Sequence, residues 1–554
     1  MGIKGKAVRY LIASVPSIVY RSLYVLILLI SLLFVHAVPA KADYYDANNY
    51  KPAVDTVKID ETNLPIVFID TRCGDSTTHV IHKDWRIAAR MKIINNANGI
   101  NYGDTIAHPQ QTVDYDGWIA IRYRGNSSFT ESKKKPFSIK TMETADPEGN
   151  KVKVPIMGMP KDNDWVLMAP YSDRSMIRDV LMFQLERPWL DYSPRARHCE
   201  VILDGIYYGV YIMAERPRKG KNRLNLDDPG DSGDELTGGY QLQIDRWEQY
   251  KFNSKYLAVD QYGNPYNAYN HIYFQYEHPD YDEMVPGHEA QLNYIQDRIN
   301  LMEDALASDD YTNPDTGYRQ FIDVTSFIDY QLAEEFSANV DGYRLSTHIY
   351  KRRDSVDPRF KLTIWDFNIA LGNANYCDGE RTDLWHYQNT WAKATDAFNK
   401  IPFWWGKLMD DPIYVKELKS RWAQYRNNNF SIDTINASID SLVTLLDAKG
   451  ARERNYAVFP IWGQKLWPVP NYKTVNTWEK EIDYLKSWIT ERVAWMDEQL
   501  EYSDSGNDIF MPSGTINDEI DGYYSLRGER LSGPQRGLII VKYKDGKSRK
   551  IVIQ

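Results

Sequence analysis

The chain has 554 residues, with 66 Lys and Arg against 76 Asp and Glu, a formal net charge of −10. So acidic a surface argues against nucleic acid and anionic lipid as partners, and the length is too great for a single core. Three cysteines far apart in sequence, Cys73, Cys199 and Cys377, allow one disulfide at most and offer no zinc-type spacing.

The chain opens with Lys4, Lys6, Arg9 and Arg21, an uncharged apolar run from Leu23 to Val35, and Ala40-Lys41-Ala42. That order predicts a secretory signal peptide over residues 1–42, because the apolar run is short for crossing roughly 30 Å of hydrocarbon. Cleavage after Ala42 removes five positive charges and takes the formal charge from −10 to −15. No later stretch is long and apolar enough to span a membrane, so the expectation is a secreted, periplasmic or cell-surface protein with no transmembrane segment.

Short apolar runs at 64–70 (LPIVFID) and 89–96 (ARMKIINN) predict a small β-rich entry region over 43–112. Strands continue through WIAIRYRG (118–125), KPFSIKT (135–141), WVLMAPY (165–171), the long run VILDGIYYGVYIMAE (201–215) and GGYQLQID (238–245). MIRDVLMFQLE (176–186) interrupts them with the helical period. A joining segment, 246–290, leads to a helix at 291–306 with Leu292, Ile295, Ile299, Met302 and Leu306 on one stripe. Asp323 caps a second helix at 324–339, a strand follows at 346–353, and helices fill 402–500. A β-rich half followed by a helix-rich half is an α+β, two-lobed arrangement over 113–502. The last segment, 503–554, reads as a small β module with an Asp545-Gly546 hairpin.

Four polar sets stand out. Arg124-Gly125-Asn126-Ser127-Ser128 is a glycine turn after a strand, able to offer N–H groups and hydroxyls to phosphate oxygens or simply to close a hairpin. Lys133-Lys134-Lys135 precedes a strand and equally fits a solvated face. Asn339-Val340-Asp341-Gly342-Tyr343 follows a helix and has the residues of a terminating turn. Finally, KLTIWDFNIALGN (361–373) embeds Asp366 and Asn368 in a run otherwise fit for burial, where an unpaired carboxylate is costly. Asp366 needs either backbone N–H partners or a hard cation such as Mg²⁺. A lysine from a β-rich half plus two such aspartates is the minimum kit for phosphoryl transfer.

Together and in this order, RGNSS, KKPFSIK, WVLMAPYSDRSMIRDVLMFQL, DGIYYGVYIMAE, GGYQLQID, ANVDGYRLSTHIYKRR and IWDFNIALGN resemble the spore coat protein H-like (CotH) kinase family over roughly 115–380. The resemblance implies an atypical protein kinase-like fold, with ATP and Mg²⁺ or Mn²⁺ in a cleft and protein Ser/Thr hydroxyls as acceptors. Residue by residue, it makes Lys135 the phosphate-binding lysine with Lys134 as its rival, Asp341 the catalytic aspartate and Asp366 the metal-binding aspartate. It sets Arg124, Gly125, Asn126 and Ser127 near the phosphates and Glu215 near the adenine, between the lobes. Two departures stand out: Asn368 where the family often has aspartate, and Ser346 where ordinary kinases carry a metal-binding asparagine. Either lowers the charge available to a metal, yet Asn368 stays beside Asp366 as a metal-site residue, since an amide oxygen can ligate Mg²⁺ or bind it through water. The C-terminal YYSLRGERLSGPQRGLIIVKYKDGKSRKIVIQ resembles the β-type sorting or anchoring tails of exported Bacteroidetes proteins. The competing readings are a catalytically silent surface adhesin on the same scaffold and a glycan-binding protein using some of the 16 Trp and 40 Tyr.

Overall fold

The computed structural model describes residues 52–74, 76–246, 249–256, 272–388 and 401–503, and 520–525, 530, 531, 533, 537–543 and 548–553 near the C-terminus. The expected signal peptide and the Asp545-Gly546 turn lie outside the described residues. The chain divides into two compact units, one ending at Glu501 and one beginning at Tyr502.

In the first unit, seven strands close into a barrel: β1 (Ile66–Asp70), β2 (Ile87–Ile94), β3 (Val113–Tyr123), β4 (Phe137–Met142), β5 (Asp164–Met168), β6 (Ala196–Leu203) and β7 (Ile206–Ala214). Their order around the barrel is β6-β7-β5-β4-β3-β2-β1, with β1 returning to β6 as the one parallel pair. The interior follows from strict alternation, since Val67, Ile69, Met91, Ile119, Ile121, Phe137, Ile139, Trp165, Leu167, Val201 and Met213 all point into one buried cluster. The two strands expected in a separate entry region do not stand apart. They are β1 and β2, the staves that join β3 to β6 and leave the sheet without an edge.

The long apolar run at 201–215, read from sequence as strand, contains the end of one strand and the whole of the next. Asp204 and Gly205 form the turn between them with φ of 52° and 84°, and Leu203 pairs with Ile206. Positive φ at both central residues is the geometry a two-residue hairpin needs. Beyond β5, helix α1 (Arg178–Glu186) is buried along most of its length.

A second, antiparallel sheet follows the barrel in sequence: β8 (Tyr240–Ile244), β9 (Lys251–Asn253), β10 (Tyr273–His278), β11 (Thr347–Lys351) and β12 (Phe360–Thr363), in the order β9-β10-β8-β11-β12. Two of these strands arise in the segment expected only to join the halves. Helices α2 (Glu289–Ala307) and α3 (Val324–Ser337) flank it, and Asp323 caps α3 by accepting from Ser326 N at 3.0 Å. Helices α4 (Trp404–Asp410), α5 (Pro412–Arg426), α6 (Ile432–Asp447), α7 (Ala451–Val458) and α8 (Trp478–Gln499) complete the unit. The fold is therefore mixed α+β, as expected, with the sheet content shared between barrel and second sheet. The unit from Tyr502 holds a four-stranded antiparallel sheet of β13 (Ile520–Tyr524), β14 (Arg530–Leu531), β15 (Gly537–Tyr543) and β16 (Ser548–Ile553), in the order β14-β13-β15-β16.

Sequence-distant parts are joined by a buried ionic knot. Glu481 on α8 takes Arg174 at 2.6 Å and Arg178 at 2.9 Å, and Arg178 also pairs with Asp173 at 2.7 Å. Every side chain in the knot is 2% exposed or less. Removing one partner leaves buried guanidinium groups uncompensated, which costs about 3–5 kcal/mol. Glu481→Ala is expected to lower urea-unfolding stability by that amount, whereas Lys486→Ala, from the exposed pair with Asp440, should cost no more than about 1 kcal/mol. Equal small effects would contradict this account of the knot.

Candidate active site

The carboxylates are gathered by the turns that follow α3 and β12. Helix α3 ends on Ala338 in the left-handed region, and Asn339 then binds both ways: its Nδ2 donates to Asp366 O at 3.4 Å and its Oδ1 accepts from Asp341 N at 3.2 Å. Gly342 packs closely here: a Cβ would lie 2.4 Å from Glu334 Oε2, so the Glu334 side chain would have to shift. Asp341 is held by Arg344 at 3.0 Å. Ser346 ties the set together, its N donating to Asp245 Oδ2 at 3.2 Å and its Oγ to Asp366 Oδ2 at 3.4 Å. Asp366 lies three residues beyond β12, and Phe367 N is anchored to Asp179 Oδ1 of α1 at 2.7 Å.

This convergence is strained. Tyr343, Ser346, Asp366 and Leu371 have φ of 68°, 51°, 67° and 50°, conformations that cost about 1–3 kcal/mol each and persist where surrounding contacts over-determine them. It is also electrostatically unfavourable. Burial pushes the Asp366 carboxyl up to about 6, with the Asp341 and Asp245 charges reinforcing and Arg124 and Arg246 opposing. Burial likewise raises Asp245, and it raises Asp179 well above the usual carboxylate range with the help of Asp366.

Cations come from the barrel. With Phe137, Ile139 and Trp165 inside, the alternation puts Ser138, Lys140 and Asp164 on the outer face, where Arg122 pairs across from Ser138 and Lys140 from Asp164. Lys140 reaches Asp164 at 3.6 Å, and Arg216 spans from Asp164 to Glu277 of β10, at 3.5 Å to each. Arg86 crosses from the loop before β2 to donate to Ala120 O and to Ser138 O and Oγ at 2.8–3.0 Å. Arg124 stands 5.7 Å from the Trp365 ring. Burial alone would raise Asp164, but Arg216, Arg218, Lys140 and Arg223 outweigh it and hold its carboxyl at about 2. Burial lowers Lys140 to about 8 against the pull of Asp164.

Of the residues singled out from sequence, Asp341, Asp366 and Arg124 come together. Gly125, with φ of 80°, lets the turn close, since a Cβ would sit 2.0 Å from Ser128 Oγ; its carbonyl accepts from Lys83 at 2.5 Å. Asn126 leads a four-residue helix, Ser127–Thr130, and its carbonyl takes Phe129 N and Thr130 N at 2.9 Å. The two rival lysines are committed elsewhere. Lys134 is buried, donating to Val210 O and to Asn455 Oδ1 of α7 at 2.8 Å, and Lys135 donates to Phe129 O. The lysine on the outer barrel face is Lys140, legible in KPFSIK from the two-residue period. Glu215 opens the segment linking barrel to second sheet, but its carboxylate is taken by Arg195 at 3.0 Å and Tyr192 at 3.3 Å. Asn368 is half-buried, and its carbonyl accepts from Asn373 at 2.9 Å. Asp245, Lys140, Arg86, Arg122 and Arg216 were not anticipated; Asp245 carries the same signal as Asp366, an acid ending an apolar strand.

The sets suit different halves of a metal–phosphate ligand. Arg122, Arg124, Lys140 and Arg216 match phosphate oxygens. Among the described residues no three His, Cys, Asp or Glu side chains converge closely enough to enclose a metal ion. One or two carboxylates, with phosphate oxygens and water completing the shell, is how Mg²⁺ is usually held, and the mutual repulsion at Asp366 is what a cation relieves. Cations from a barrel and carboxylates from an adjoining sheet define a protein whose polar site fits a phosphate-rich ligand.

The chain belongs to the CotH family: the family described as CotH kinase protein matches residues 121–496. Membership implies a kinase-like function and the use of ATP. No curated protein matches the chain. Lys83 and Arg86 lie before the matched span yet reach the same wall.

The raised Asp366 value fixes a sign. The native state binds this proton more tightly than the unfolded chain does, so stability falls as pH rises from about 4 to about 6. Asp366→Asn, which keeps a side chain tolerant of positive φ, is expected to raise unfolding stability at pH 7.5 by up to about 3 kcal/mol. The gain should shrink towards zero at pH 4. A variant less stable than wild type at both pH values would contradict the reading.

Proposed function

We propose that this is an exported atypical protein kinase with a two-lobed arrangement, barrel against second sheet and helices, transferring the γ-phosphoryl group of ATP to protein Ser or Thr hydroxyls. The observation that carries the reading is the gathering of Asp341 and Asp245 around Asp366 with Arg124 acting on it from the end of the barrel strand. Arg124, Arg122 and Lys140 bind the phosphates. Asp341, oriented by Arg344, accepts the proton of the acceptor hydroxyl as its oxygen bonds to the γ-phosphorus and the bond to the β–γ bridging oxygen breaks, releasing ADP. Asp366 and Asp245 hold Mg²⁺ or Mn²⁺, with Ser346 and Asn368 beside them; the metal supplies charge neutralisation on the phosphates when bound. Lys140 takes the role first assigned to Lys134 or Lys135. Export through residues 1–42 directs this chemistry outside the cytoplasm, so nucleotide must come from that side or be met during export. Residues 503–554 serve sorting or anchoring.

Transfer of labelled phosphate from ATP to a serine-bearing protein acceptor tests this directly. Asp341→Asn and Lys140→Met are each expected to lower the rate by about 10²–10⁴-fold while leaving the unfolding midpoint near wild type. Transfer unaffected by either substitution would contradict the assignment.

A further inference from the structure

A second cationic site lies beside the first; it shares the segment that carries Arg216 but is lined by other side chains. Residues 216–223, Arg-Pro-Arg-Lys-Gly-Lys-Asn-Arg, hold five cations in an otherwise acidic chain. They face the hairpin formed by strands Val154–Ile156 and Met159–Asp162, and between the two lies a cavity of about 600 Å³. Lys153, Arg218, Lys219 and Lys221 line it with Asn163 and Asn225, and no carboxylate does.

The floor is built rather than incidental. Arg218 is fixed by Asn163 at 3.0 Å and Asp162 at 3.3 Å, and Arg223 beneath it pairs with Asp162 at 3.4 Å and donates to Asp164 O at 2.7 Å. Lys219 pairs with the exposed Asp228. Lys153 and Lys221 are exposed and make no ion pair or side-chain hydrogen bond among the described residues. Two unpaired amines and two anchored cations around one concavity set up a field that an incoming dianion would satisfy.

The lining also narrows the ligand. It contains no aromatic ring and only Leu226 as an apolar side chain, so nothing there stacks a nucleobase. A net charge of −10 opposes a polynucleotide. Asp164 connects the site to the outer barrel face, holding Arg218 at 3.5 Å on one side and Lys140 at 3.6 Å on the other.

We propose that this cavity docks a phosphoserine-bearing segment of the protein acceptor, so that one transferred phosphate primes transfer to a neighbouring hydroxyl. The proposal rests on the kinase reading for its biological sense, but its test does not depend on catalysis. Binding of a fluorescein-labelled peptide of alternating glycine and phosphoserine to the full chain, without ATP, is read by anisotropy beside matched serine and aspartate peptides. The phosphopeptide is expected to bind at least tenfold more tightly than either. Lys153→Glu with Lys221→Glu should abolish that preference, and Lys161→Glu, from the same hairpin but outside the cavity, should leave it intact. Phosphopeptide affinity equal to that of the aspartate peptide, or unchanged in the double variant, overturns the proposal. Asp341→Asn should still bind the phosphopeptide, so loss of the kinase reading and loss of the docking site give different results.

Discussion

Like charges held together in a partly desolvated place are the constraint around which this molecule is arranged. Asp245, Asp341 and Asp366 come from three separate segments, and between residues 338 and 371 the backbone adopts five positive-φ conformations at non-glycine residues to bring that region together. Such a set persists only where rigid surroundings enforce it. Those surroundings are specific: Asn339 bonds both aspartate segments, Ser346 bridges Asp245 and Asp366, and Asp179 of α1 fixes the turn at Phe367. Helix α1 is itself pinned to α8 through Arg178 and Glu481, so the site's geometry rests on a contact between residues 303 positions apart.

Barrel closure supplies the opposing charge. A closed sheet has one filled interior and one outer face, and the two-residue period leaves every second residue of β3, β4 and β5 outside. On that face Arg122 lies across from Ser138 and Lys140 across from Asp164 in fixed register, so these two cations are positioned by hydrogen-bonded backbone rather than by flexible loops. Arg216, in the link between barrel and second sheet, touches a carboxylate of each and so ties the two sheets together.

Much of this was legible residue by residue. Asp366 betrays itself as an acid in an apolar run, Asp341 sits where a helix must end, the apolar stripe locates α2, and Asp323 marks the start of α3. What escaped was non-local. The strands β1 and β2 read as a small region of their own because nothing in their residues says that β1 will return to β6 in parallel. The Asp204-Gly205 turn hides in a continuous apolar run, since both flanking strands are buried. Lys134 and Lys135 drew notice as part of a charge run, yet their ammonium groups satisfy carbonyl oxygens contributed by Val210 and Phe129, the first of them 76 residues away. Lys140 carries the stronger local signal, alternation with Phe137 and Ile139, but its partner Asp164 becomes visible only once β4 and β5 are paired.

The account's central claim is that the opposed charge sets form one metal-dependent nucleotide site. Thermal unfolding of the protein with ATP, with and without Mg²⁺ or Mn²⁺, tests it most directly. A ligand that binds only the folded state at 100 times its Kd adds about 2.7 kcal/mol. The account predicts a stabilisation that requires the metal and disappears in Asp366→Ala. A cooperative transition unmoved by ATP with either metal, or moved equally in the variant, would contradict it.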